Sequence, residues 1–182
     1  MTVSSSETHP AVFLDRDGTL MRDVDYCGDP AQVEVFSGAA GALRQLKAHG
    51  YKLIIVTNQS GIARGYFSEE DYRAVEKESL RQLGEELIDA TYFCPDLPGT
   101  PSARRKPAPG MIFEAQRDHC LDLAQSYFVG DKTSDIECGR NAGVRTILVQ
   151  TGYAVRESNC RAQWIARDLA HAAEIILGAN DD

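Results

Sequence analysis

The sequence predicts an α/β fold: a Rossmann-like three-layer sandwich with a mainly parallel central sheet and no large cap domain. Two observations indicate it. Short apolar runs alternate with stretches of helical periodicity along the 182 residues, which is typical of a parallel sheet covered by helices on both faces. The insertion at residues 21–36 is too short for a separate cap domain. We therefore expect one domain over residues 11–182, preceded by a flexible polar tail over residues 1–10.

The first half of the chain predicts three strands and two helices. The first helix covers residues 38–49, because its alanines and leucines recur on one face and Gly50 follows it. Ser68 begins the second helix, since the spacing from Ser68 to Asp71 is that of a capping box. The strands are short apolar runs, and they are predicted at residues 11–15, 52–57 and 90–94.

The second half continues the alternation after a proline-rich loop over residues 95–109. We expect one helix over residues 110–123 and a shorter one over residues 135–142. Asp168 is placed to cap a last helix that runs to about Leu177. The remaining strands are predicted at residues 127–131, 144–149 and 164–165.

Composition and charge exclude several classes of protein. The net charge of −8 disfavours binding to nucleic acid or to an anionic membrane surface. The aliphatic run at residues 53–56 is far too short to cross a membrane, and residues 1–10 lack the apolar core of a signal peptide. The five cysteines are scattered, with no C-x-x-C pair, so we expect reduced thiols. The expected protein is therefore a cytoplasmic monomer with no nucleic-acid or membrane partner.

Three of the predicted strands end in polar residues. Asp15 and Asp17 close the first strand, Thr57 and Asn58 close the second, and Asp131 closes the fourth. In an open parallel sheet, ligands bind at the edge where the carboxyl ends of the strands lie. Any one of these residues is explained as a helix cap or a turn former, but that explanation is weaker for all of them together. This edge is therefore the predicted functional site.

The chemistry of this edge has more than one interpretation. A D-x-D pair beside Gly18 is by itself a turn, a metal site, or a nucleophile with its acid. Together with Asp131, the pair forms three hard oxygen donors, which suit Mg²⁺ better than zinc. The hydroxyl of Thr57 and the ammonium of Lys106 suit the charge on a transferring phosphoryl group. In that interpretation a carboxylate attacks phosphorus in line and forms an aspartyl-phosphate.

Four motifs resemble the haloacid dehalogenase superfamily of phosphohydrolases. In chain order they read FLDRDGTL, IIVTNQSGIARG, RRKPAPGM and VGDKTSD, and they span Asp15 to Asp135. The finer match, in TNQSGIARG, RKPAPGM and GDK, is to the branch that contains the heptose-bisphosphate and histidinol-phosphate phosphatases. Because four motifs occur in the family's order beside the predicted strands, the resemblance is specific and covers most of the chain.

The resemblance implies a role for each residue at this edge. Asp15 takes the position of the nucleophile, and Asp17 takes that of the general acid and base. Magnesium is implied to bind the Asp15 carboxylate, the Asp17 backbone carbonyl and Asp131. Thr57 and Lys106 match positions that stabilise the phosphoryl group. The positions that match substrate contacts are Asp23, Tyr26, Asn58, Gln59, Ser60, Arg105 and Lys132.

The activity implied by the resemblance is magnesium-dependent removal of a phosphate from a sugar bisphosphate. The expected target is the 7-phosphate of D-glycero-D-manno-heptose 1,7-bisphosphate, and a histidinol-phosphate phosphatase is the alternative within the branch. Nucleic-acid 3′-phosphatases carry a similar TNQ stretch, but the acidic charge argues against them. A catalytically silent phosphosugar-binding protein is the alternative of another class. It predicts a defect in the motifs, and they contain none.

The chain departs from the branch in the loop before the motif RRKPAPGM. Many members bind a structural zinc there through C-x-H and C-x-C, but here Asp96 occupies the histidine position after Cys94 and the second cysteine pair is absent. One thiol cannot complete a closed site with four ligands. We therefore predict Mg²⁺ as the cofactor and no zinc.

Overall fold

A single six-stranded sheet forms the centre of the molecule. The computed structural model describes residues 8–152 and 160–179. The strands are β1 (Ala11–Leu14), β2 (Lys52–Asn58), β3 (Ala90–Cys94), β4 (Tyr127–Gly130), β5 (Arg145–Val149) and β6 (Trp164–Ala166). Their order across the sheet is β3-β2-β1-β4-β5-β6, and every neighbouring pair is parallel. The predicted mainly parallel sheet is confirmed.

Helices cover both faces of this sheet. In the described part of the chain they are α1 (Ala39–Ala48), α2 (Glu69–Leu83), α3 (Gly110–His119), α4 (Thr133–Ala142) and α5 (Leu169–Gly178). The buried residues of α1 and α5 pack on one face, and those of α3 and α4 pack on the other. The order of layers is therefore helix, sheet, helix, as predicted. None of the helices described is long and apolar enough to span a bilayer.

Strand β1 lies in the interior of the sheet, and its sequence explains why. All four residues are apolar, and none has measurable solvent exposure. Val12 and Leu14 join the core that contains α1 and α5, whereas Ala11 and Phe13 join the core on the opposite face. A strand that is buried on both faces needs an apolar residue at every position. The buried strand ends where the sequence turns to Asp15.

The chain reverses its progress across the sheet beside β1. From β1 it moves outward to β2 and β3, and it then returns to place β4 on the other side of β1. The helix after β1 lies on one face of the sheet and the helix after β4 lies on the other. Such a switch point opens a crevice at the carboxyl ends of the two strands, where ligands bind in open α/β sheets. The residues that follow Leu14 and Gly130 lie at this crevice.

Helix α3 is shorter than the sequence predicts. It ends at His119 rather than at residue 123, because Cys120 adopts a left-handed φ of 52° that does not continue a helix. The next residues form a separate 3₁₀ turn at Leu123–Gln125, and the side chain of Asp122 caps it.

Helix α4 begins earlier than predicted, at Thr133 rather than at Asp135. Lys132 occupies the N-cap position, and its backbone N–H donates to Asp135 Oδ2 at 3.0 Å. Asp135 is therefore the third residue of the helix, from which its carboxylate reaches back toward the end of β4.

The two predicted helix caps are confirmed. Ser68 Oγ accepts the backbone N–H of Asp71 at 3.1 Å, and the Asp71 carboxylate accepts the backbone N–H of Ser68 at 2.8 Å. Asp168 Oδ1 accepts the backbone N–H of His171 at 2.8 Å. Each contact satisfies a backbone donor that the first turn of a helix leaves unpaired.

The expected N-terminal tail is described only from residue 8 onward, and residues 1–7 lie outside the described part of the chain. His9 donates its backbone N–H to the carbonyl of Cys120 at 3.1 Å, and the Pro10 carbonyl accepts the N–H of Lys52 at 2.9 Å. These bonds join the approach to β1 to its neighbours.

Candidate active site

Three carboxylates meet at the switch point. Asp15 follows β1 directly and Asp131 follows β4 directly, so the parallel pairing of these strands brings the two residues together. Asp135 is the third member, and one oxygen from each of the three lies within 4.8 Å of the others. Asp15 is 4% exposed, and neither Asp131 nor Asp135 is measurably exposed. The sequence therefore anticipates two of the three carboxylates.

Asp135 is the residue that the sequence reasoning did not assign to the site. It stands in the quoted motif VGDKTSD, but there it served only to mark a helix start. The D-x-x-x-D spacing is the signal, because a carboxylate at the third position of a helix can turn back to the residues before it. Asp135 thereby joins the cluster formed by residues that end two strands.

Lys106 provides the buried positive charge of the cluster. Its ammonium lies 2.7 Å from Asp15 Oδ1 and 2.7 Å from Asp135 Oδ1, and it donates to the carbonyl of Val56 at 2.8 Å. Burial by itself would lower the pKa of Lys106, but the charges of Asp135 and Asp15 raise it above its ordinary value. The side chain is therefore a permanent cation beside Asp15.

The acidic residues respond differently to this environment. Burial would raise the pKa of Asp15, yet the ammonium groups of Lys106 and Lys132 outweigh it and hold that pKa below its ordinary value. Burial raises the pKa of Asp135 to about 6, although Lys106 opposes the shift. Asp15 is thus the carboxylate that the cluster keeps ionised, as a nucleophile must be.

Lys132 supplies a second cation above the cluster. Its ammonium donates to Asp23 Oδ2 at 3.1 Å. Burial would lower the pKa of Lys132, but the charges of Asp15, Asp131 and Asp23 raise it above the ordinary value. The carboxylates of this region therefore outnumber the ammonium groups by two. The four carboxylates are those of Asp15, Asp23, Asp131 and Asp135, and the two ammonium groups are those of Lys106 and Lys132.

The end of β2 is hydrogen-bonded to the backbone of Lys106. Asn58 Oδ1 accepts the backbone N–H of Lys106 at 3.0 Å, and Asn58 Nδ2 donates to the Lys106 carbonyl at 3.1 Å. Thr57, which is 1% exposed, lies next to this contact in the strand. Asn58, predicted as a substrate contact, thus uses both of its polar atoms to fix the backbone of Lys106.

The Asp17 carboxylate is not part of the cluster that contains Asp15, because β1 ends at Leu14 and the chain turns after it. Its carboxylate accepts from Arg16 Nε at 3.1 Å, from Arg16 Nη2 at 3.0 Å and from Gln59 Nε2 at 2.9 Å. The same Gln59 nitrogen lies 2.9 Å from Thr57 Oγ1. The sequence reasoning missed Arg16, and its signal is a charged residue between the two acids of the D-x-D motif.

The donor set fits a divalent metal ion. Three carboxylates are hard oxygen ligands, and the excess of two negative charges equals the charge of one Mg²⁺. Asp131 lies in a cradle formed by Gly18 and Gly152, since a Cβ on either glycine would collide with its carboxylate. Thr19 Oγ1 lies 3.5 Å from Asp131 Oδ1. The residues around Asp131 thus hold its carboxylate in one place.

A cavity of about 300 Å³ lies beside this cluster. Eight of its lining residues are ones that the sequence predicts for the site: Asp17, Asp23, Tyr26, Asn58, Gln59, Ser60, Arg105 and Lys132. The structure therefore brings all seven expected substrate contacts to one cavity. Four further lining residues, Asp25, Cys27, Gly61 and Ser134, were not predicted.

The mouth of the cavity carries an exposed aromatic pair. The rings of Tyr26 and Tyr66 meet edge to face with centroids 4.8 Å apart, and the guanidinium of Arg64 lies 5.8 Å from the Tyr26 centroid. Asp25 and Tyr26 have positive φ values of 41° and 61°. Residues other than glycine rarely adopt this conformation, and it concentrates at functional sites.

Hydrogen bonds organise the loop that carries Arg105. Ser102 Oγ accepts the backbone N–H groups of Arg104 at 3.2 Å and of Arg105 at 3.0 Å. The Arg105 guanidinium donates to the carbonyl of Asp96 at 2.8 Å, and the Cys94 thiol donates to the Asp96 carboxylate at 3.3 Å. These contacts give the loop a fixed shape and place Arg105 at the cavity.

Comparison with known proteins agrees with this geometry. A sequence profile described as HAD-hydrolase-like matches residues 103–172. The chain is 39% identical to the D-glycero-beta-D-manno-heptose-1,7-bisphosphate 7-phosphatase of Yersinia pestis, in an alignment that covers 94% of this chain and 97% of that protein. It is 40% identical to the D-glycero-D-manno-heptose-1,7-bisphosphate 7-phosphatase of Thermosynechococcus vestitus, with 92% and 95% covered.

A solved structure is similar over nearly the whole chain. The D,D-heptose 1,7-bisphosphate phosphatase from B. bronchiseptica, crystallised with magnesium and phosphate, superposes with a TM-score of 0.85 at 32% identity. The match covers 93% of this chain and 99% of that protein. The chain therefore belongs to the HAD-hydrolase-like family, within the group of the D-glycero-D-manno-heptose-1,7-bisphosphate 7-phosphatases.

Proposed function

We propose that the chain is a magnesium-dependent phosphomonoesterase that removes the 7-phosphate of D-glycero-D-manno-heptose 1,7-bisphosphate through an aspartyl-phosphate. The observation that carries the proposal is the buried cluster in which Lys106 contacts both Asp15 and Asp135 at 2.7 Å and the carboxylate oxygens of Asp15, Asp131 and Asp135 lie within 4.8 Å of one another. An ionised carboxylate, a fixed cation and a set of hard metal ligands are what phosphoryl transfer to an aspartate requires.

In the first step, a carboxylate oxygen of Asp15 attacks phosphorus and forms a new O–P bond. The bond from phosphorus to the sugar oxygen breaks, and its electron pair stays on the leaving oxygen. Asp17 donates a proton to that oxygen, so the sugar leaves as an alcohol. Lys106 and the hydroxyl of Thr57 stabilise the charge on the transferring phosphoryl group.

In the second step, water attacks the phosphorus of the aspartyl-phosphate. Asp17, now a carboxylate, accepts a proton from that water. The bond between phosphorus and the Asp15 oxygen breaks and returns its electron pair to the Asp15 carboxylate. Inorganic phosphate leaves, and both aspartates regain their initial protonation states.

Magnesium would be held by the carboxylates of Asp15 and Asp131 and by the backbone carbonyl of Asp17. When bound, it supplies positive charge that favours the approach of an anionic phosphoryl group to an anionic nucleophile. Asp135 lies within reach of the same cation through its place in the cluster. Lys106 balances part of that acidic charge in every state.

The cavity supports a phosphorylated sugar as substrate. Its lining combines Arg105 and Lys132, which suit phosphate oxygens, with Asp23 and Ser60, which suit hydroxyl groups. Tyr26 at the rim offers an apolar face of the kind that packs on a sugar ring. The related enzymes named above act on a heptose bisphosphate, and we assign the same substrate class to this chain.

Several expectations from the sequence become part of this proposal. We propose one domain over residues 11–182 that acts as a cytoplasmic monomer, without a nucleic-acid or membrane partner. The net charge of −8 supports the absence of a nucleic-acid partner. All five cysteines lie in the described part of the chain, and no disulfide joins them, as suits a reducing compartment.

The loop after β3 supports a chain without structural zinc. Cys94 is buried and donates to Asp96, and burial raises its thiol pKa above the ordinary value. A structural zinc site is closed by four ligands, most of them thiolates or imidazoles. Cys94 is the one cysteine in residues 94–109. Metal analysis of the purified protein should therefore find less than about 0.1 zinc per chain, and stoichiometric zinc would contradict the proposal.

The test of the function is phosphate release from both anomers of the heptose bisphosphate and from histidinol phosphate, with Mg²⁺ and with a chelator. We expect turnover of the bisphosphate only with Mg²⁺. Asp15→Asn should abolish it, whereas the matched control Asp122→Asn, in a 3₁₀ cap before β4, should retain it. Turnover of histidinol phosphate alone would contradict the substrate, and full activity of Asp15→Asn would contradict the covalent mechanism.

A further inference from the structure

Arg16 is a buried cation that the proposed chemistry does not use directly. It is 2% exposed, and its guanidinium lies 5.4 Å from the centroid of the buried Tyr72 ring. Nε and Nη2 both donate to the Asp17 carboxylate, while Nη1 is buried without a hydrogen-bond partner in the described part of the chain. Burying an arginine is costly unless it is paired. The pairing that this arginine makes is with Asp17.

The position of Arg16 is fixed from its backbone outward. Its carbonyl accepts the N–H of Leu20 at 2.9 Å and that of Met21 at 3.2 Å, so a hydrogen-bonded turn holds the residue between the two acids. The Tyr72 ring limits the guanidinium on one side. A planar group that is held at both ends can orient a carboxylate far better than a flexible one.

Gln59 completes the arrangement from the other side of the crevice. It is 5% exposed and stands just beyond the end of β2. Its Nε2 is 2.9 Å from Asp17 Oδ2 and 2.9 Å from Thr57 Oγ1. The side chain therefore links the predicted acid and base to the residue predicted to stabilise the phosphoryl group.

The two oxygens of Asp17 are held unequally. Oδ2 accepts from Arg16 Nε at 3.1 Å and from Gln59 Nε2 at 2.9 Å, and Arg16 Nη2 also lies 2.9 Å from it. Oδ1 accepts from Arg16 Nη2 at 3.0 Å and from no other donor in the described part of the chain. A carboxylate oxygen has two lone pairs. One oxygen is thus anchored, and the other keeps the capacity to exchange a proton.

We propose that Arg16 and Gln59 are positioning residues, which anchor Asp17 Oδ2 so that Oδ1 faces the leaving oxygen and later the attacking water. The proposal rests on the proposed function, in which Asp17 is the general acid and base. Neither positioning residue transfers a proton or touches phosphorus. They make the proton transfers to and from Oδ1 efficient by fixing where that oxygen lies.

The test compares two substrates that differ in their need for a general acid. The leaving oxygen of the sugar phosphate must be protonated, whereas p-nitrophenolate leaves without a proton. For Arg16→Met we expect kcat with the heptose bisphosphate to fall by about 100-fold, since general acid catalysis contributes on that order. The KM for that substrate should stay within about twofold, because no substrate contact is lost.

The same variant should behave differently with p-nitrophenyl phosphate. Formation of the aspartyl-phosphate needs no acid there, but its hydrolysis still needs the base. We therefore expect a burst of about one p-nitrophenolate per chain, followed by slow turnover. Gln59→Met should show the same pattern to a smaller extent, and it tests the proposal independently if Arg16→Met does not fold.

Arg73→Met is the matched control. Its guanidinium also packs on the Tyr72 ring, at 5.5 Å from the centroid, but it pairs with Glu76 and makes no contact with Asp17. Its relative activity on the two substrates should equal that of the wild type. Slow turnover of p-nitrophenyl phosphate without a burst in Arg16→Met and Gln59→Met, or no loss of activity on the heptose bisphosphate in either variant, would overturn the positioning role alone. A wild-type chain that is inactive on both substrates would overturn the proposed function and, with it, this role.

Discussion

The crevice between β1 and β4 and the rim of the cavity above it are built in opposite ways. In the crevice Asp15, Lys106 and Asp131 are at most 4% exposed, and the strands and buried ion pairs fix them. At the rim Tyr26 is 47% exposed, and it lies in a loop with left-handed backbone rather than in a strand or helix. Groups that carry the chemistry are thus held by the sheet, and groups that meet the substrate are held by short loops.

The difference indicates how one chemistry serves different substrates. A substitution that removes one charged residue of the crevice leaves its buried partner unpaired, which is costly. The rim can change with little effect on folding, because loops at the surface carry few buried contacts. We therefore expect substitutions in the crevice to lower kcat and stability, and substitutions at the rim to raise KM.

The largest effect should come from Lys106→Met. It leaves Asp15 and Asp135 buried without their shared cation, so we expect a loss of about 3–5 kcal/mol in the free energy of unfolding and a fall in kcat of at least about 100-fold. Urea denaturation and phosphate release measure the two effects. Lys52→Met, which removes a half-exposed lysine at the start of β2, should cost about 1 kcal/mol or less. Equal effects of the two variants would break the comparison.

Alanine substitutions at two glycines distinguish the effect of backbone strain from an effect on the proposed metal site. Gly18 and Gly50 both have φ of +87°, but a Cβ on Gly18 would collide with Asp131, whereas a Cβ on Gly50 would meet open space. The left-handed backbone by itself should cost about 1–2 kcal/mol of stability for alanine at either position, and the collision with Asp131 adds to this cost only at Gly18.

Only Gly18→Ala should also disturb the proposed metal site. We expect the Mg²⁺ concentration for half-maximal activity to rise by about 10-fold or more, while that of Gly50→Ala stays at the wild-type value. Magnesium titrations of the phosphatase activity measure this. A Gly18→Ala variant with wild-type magnesium dependence would show that Asp131 does not hold the cation.

A substitution at the rim should have a smaller and different effect. Tyr26→Ala removes a ring that packs against Tyr66 at the cavity mouth. We expect KM for the heptose bisphosphate to rise by about tenfold, equivalent to about 1.4 kcal/mol, with kcat nearly unchanged. Ile165→Ala, at an even more exposed position on β6, should leave both constants unchanged. A fall in kcat with constant KM would mean that Tyr26 acts in the chemical steps, as the crevice residues do, and not in substrate binding.

The smallest effect should come from Asp89→Asn at the opposite edge of the sheet. Burial would raise the pKa of Asp89, but the Leu53 N–H and the ammonium groups of Lys47 and Lys52 lower it below 3.8. A lowered pKa in the folded state gives stability that is present above pH 3.8 and is lost as pH falls through the folded value.

We therefore expect Asp89→Asn to lose about 1 kcal/mol at pH 7 with unchanged activity. The difference from the wild type should shrink below about pH 4. Thermal unfolding between pH 2 and pH 7 measures it. A difference that grows on acidification would mean that the carboxylate is not stabilised in its charged form.

Local patterns in the sequence determined much of the fold. Apolar runs place six strands, because a buried parallel strand needs an apolar residue at each position. Ser68 and Asp168 mark two helix starts, since a cap depends only on residues nearby in the chain. The end of α3 was misplaced, because the left-handed Cys120 has no signal in residue type.

The sequence also determined that the residues at the ends of β1, β2 and β4 gather at the site, because strand ends in a parallel sheet must lie on one edge. Only the tertiary structure decided how they pair. Lys106 lies between Asp15 and Asp135, because a buried charge is costly unless an opposite charge lies beside it, and Gln59 donates to Asp17 from the end of another strand. Such pairings depend on distances across the fold, which no local pattern encodes.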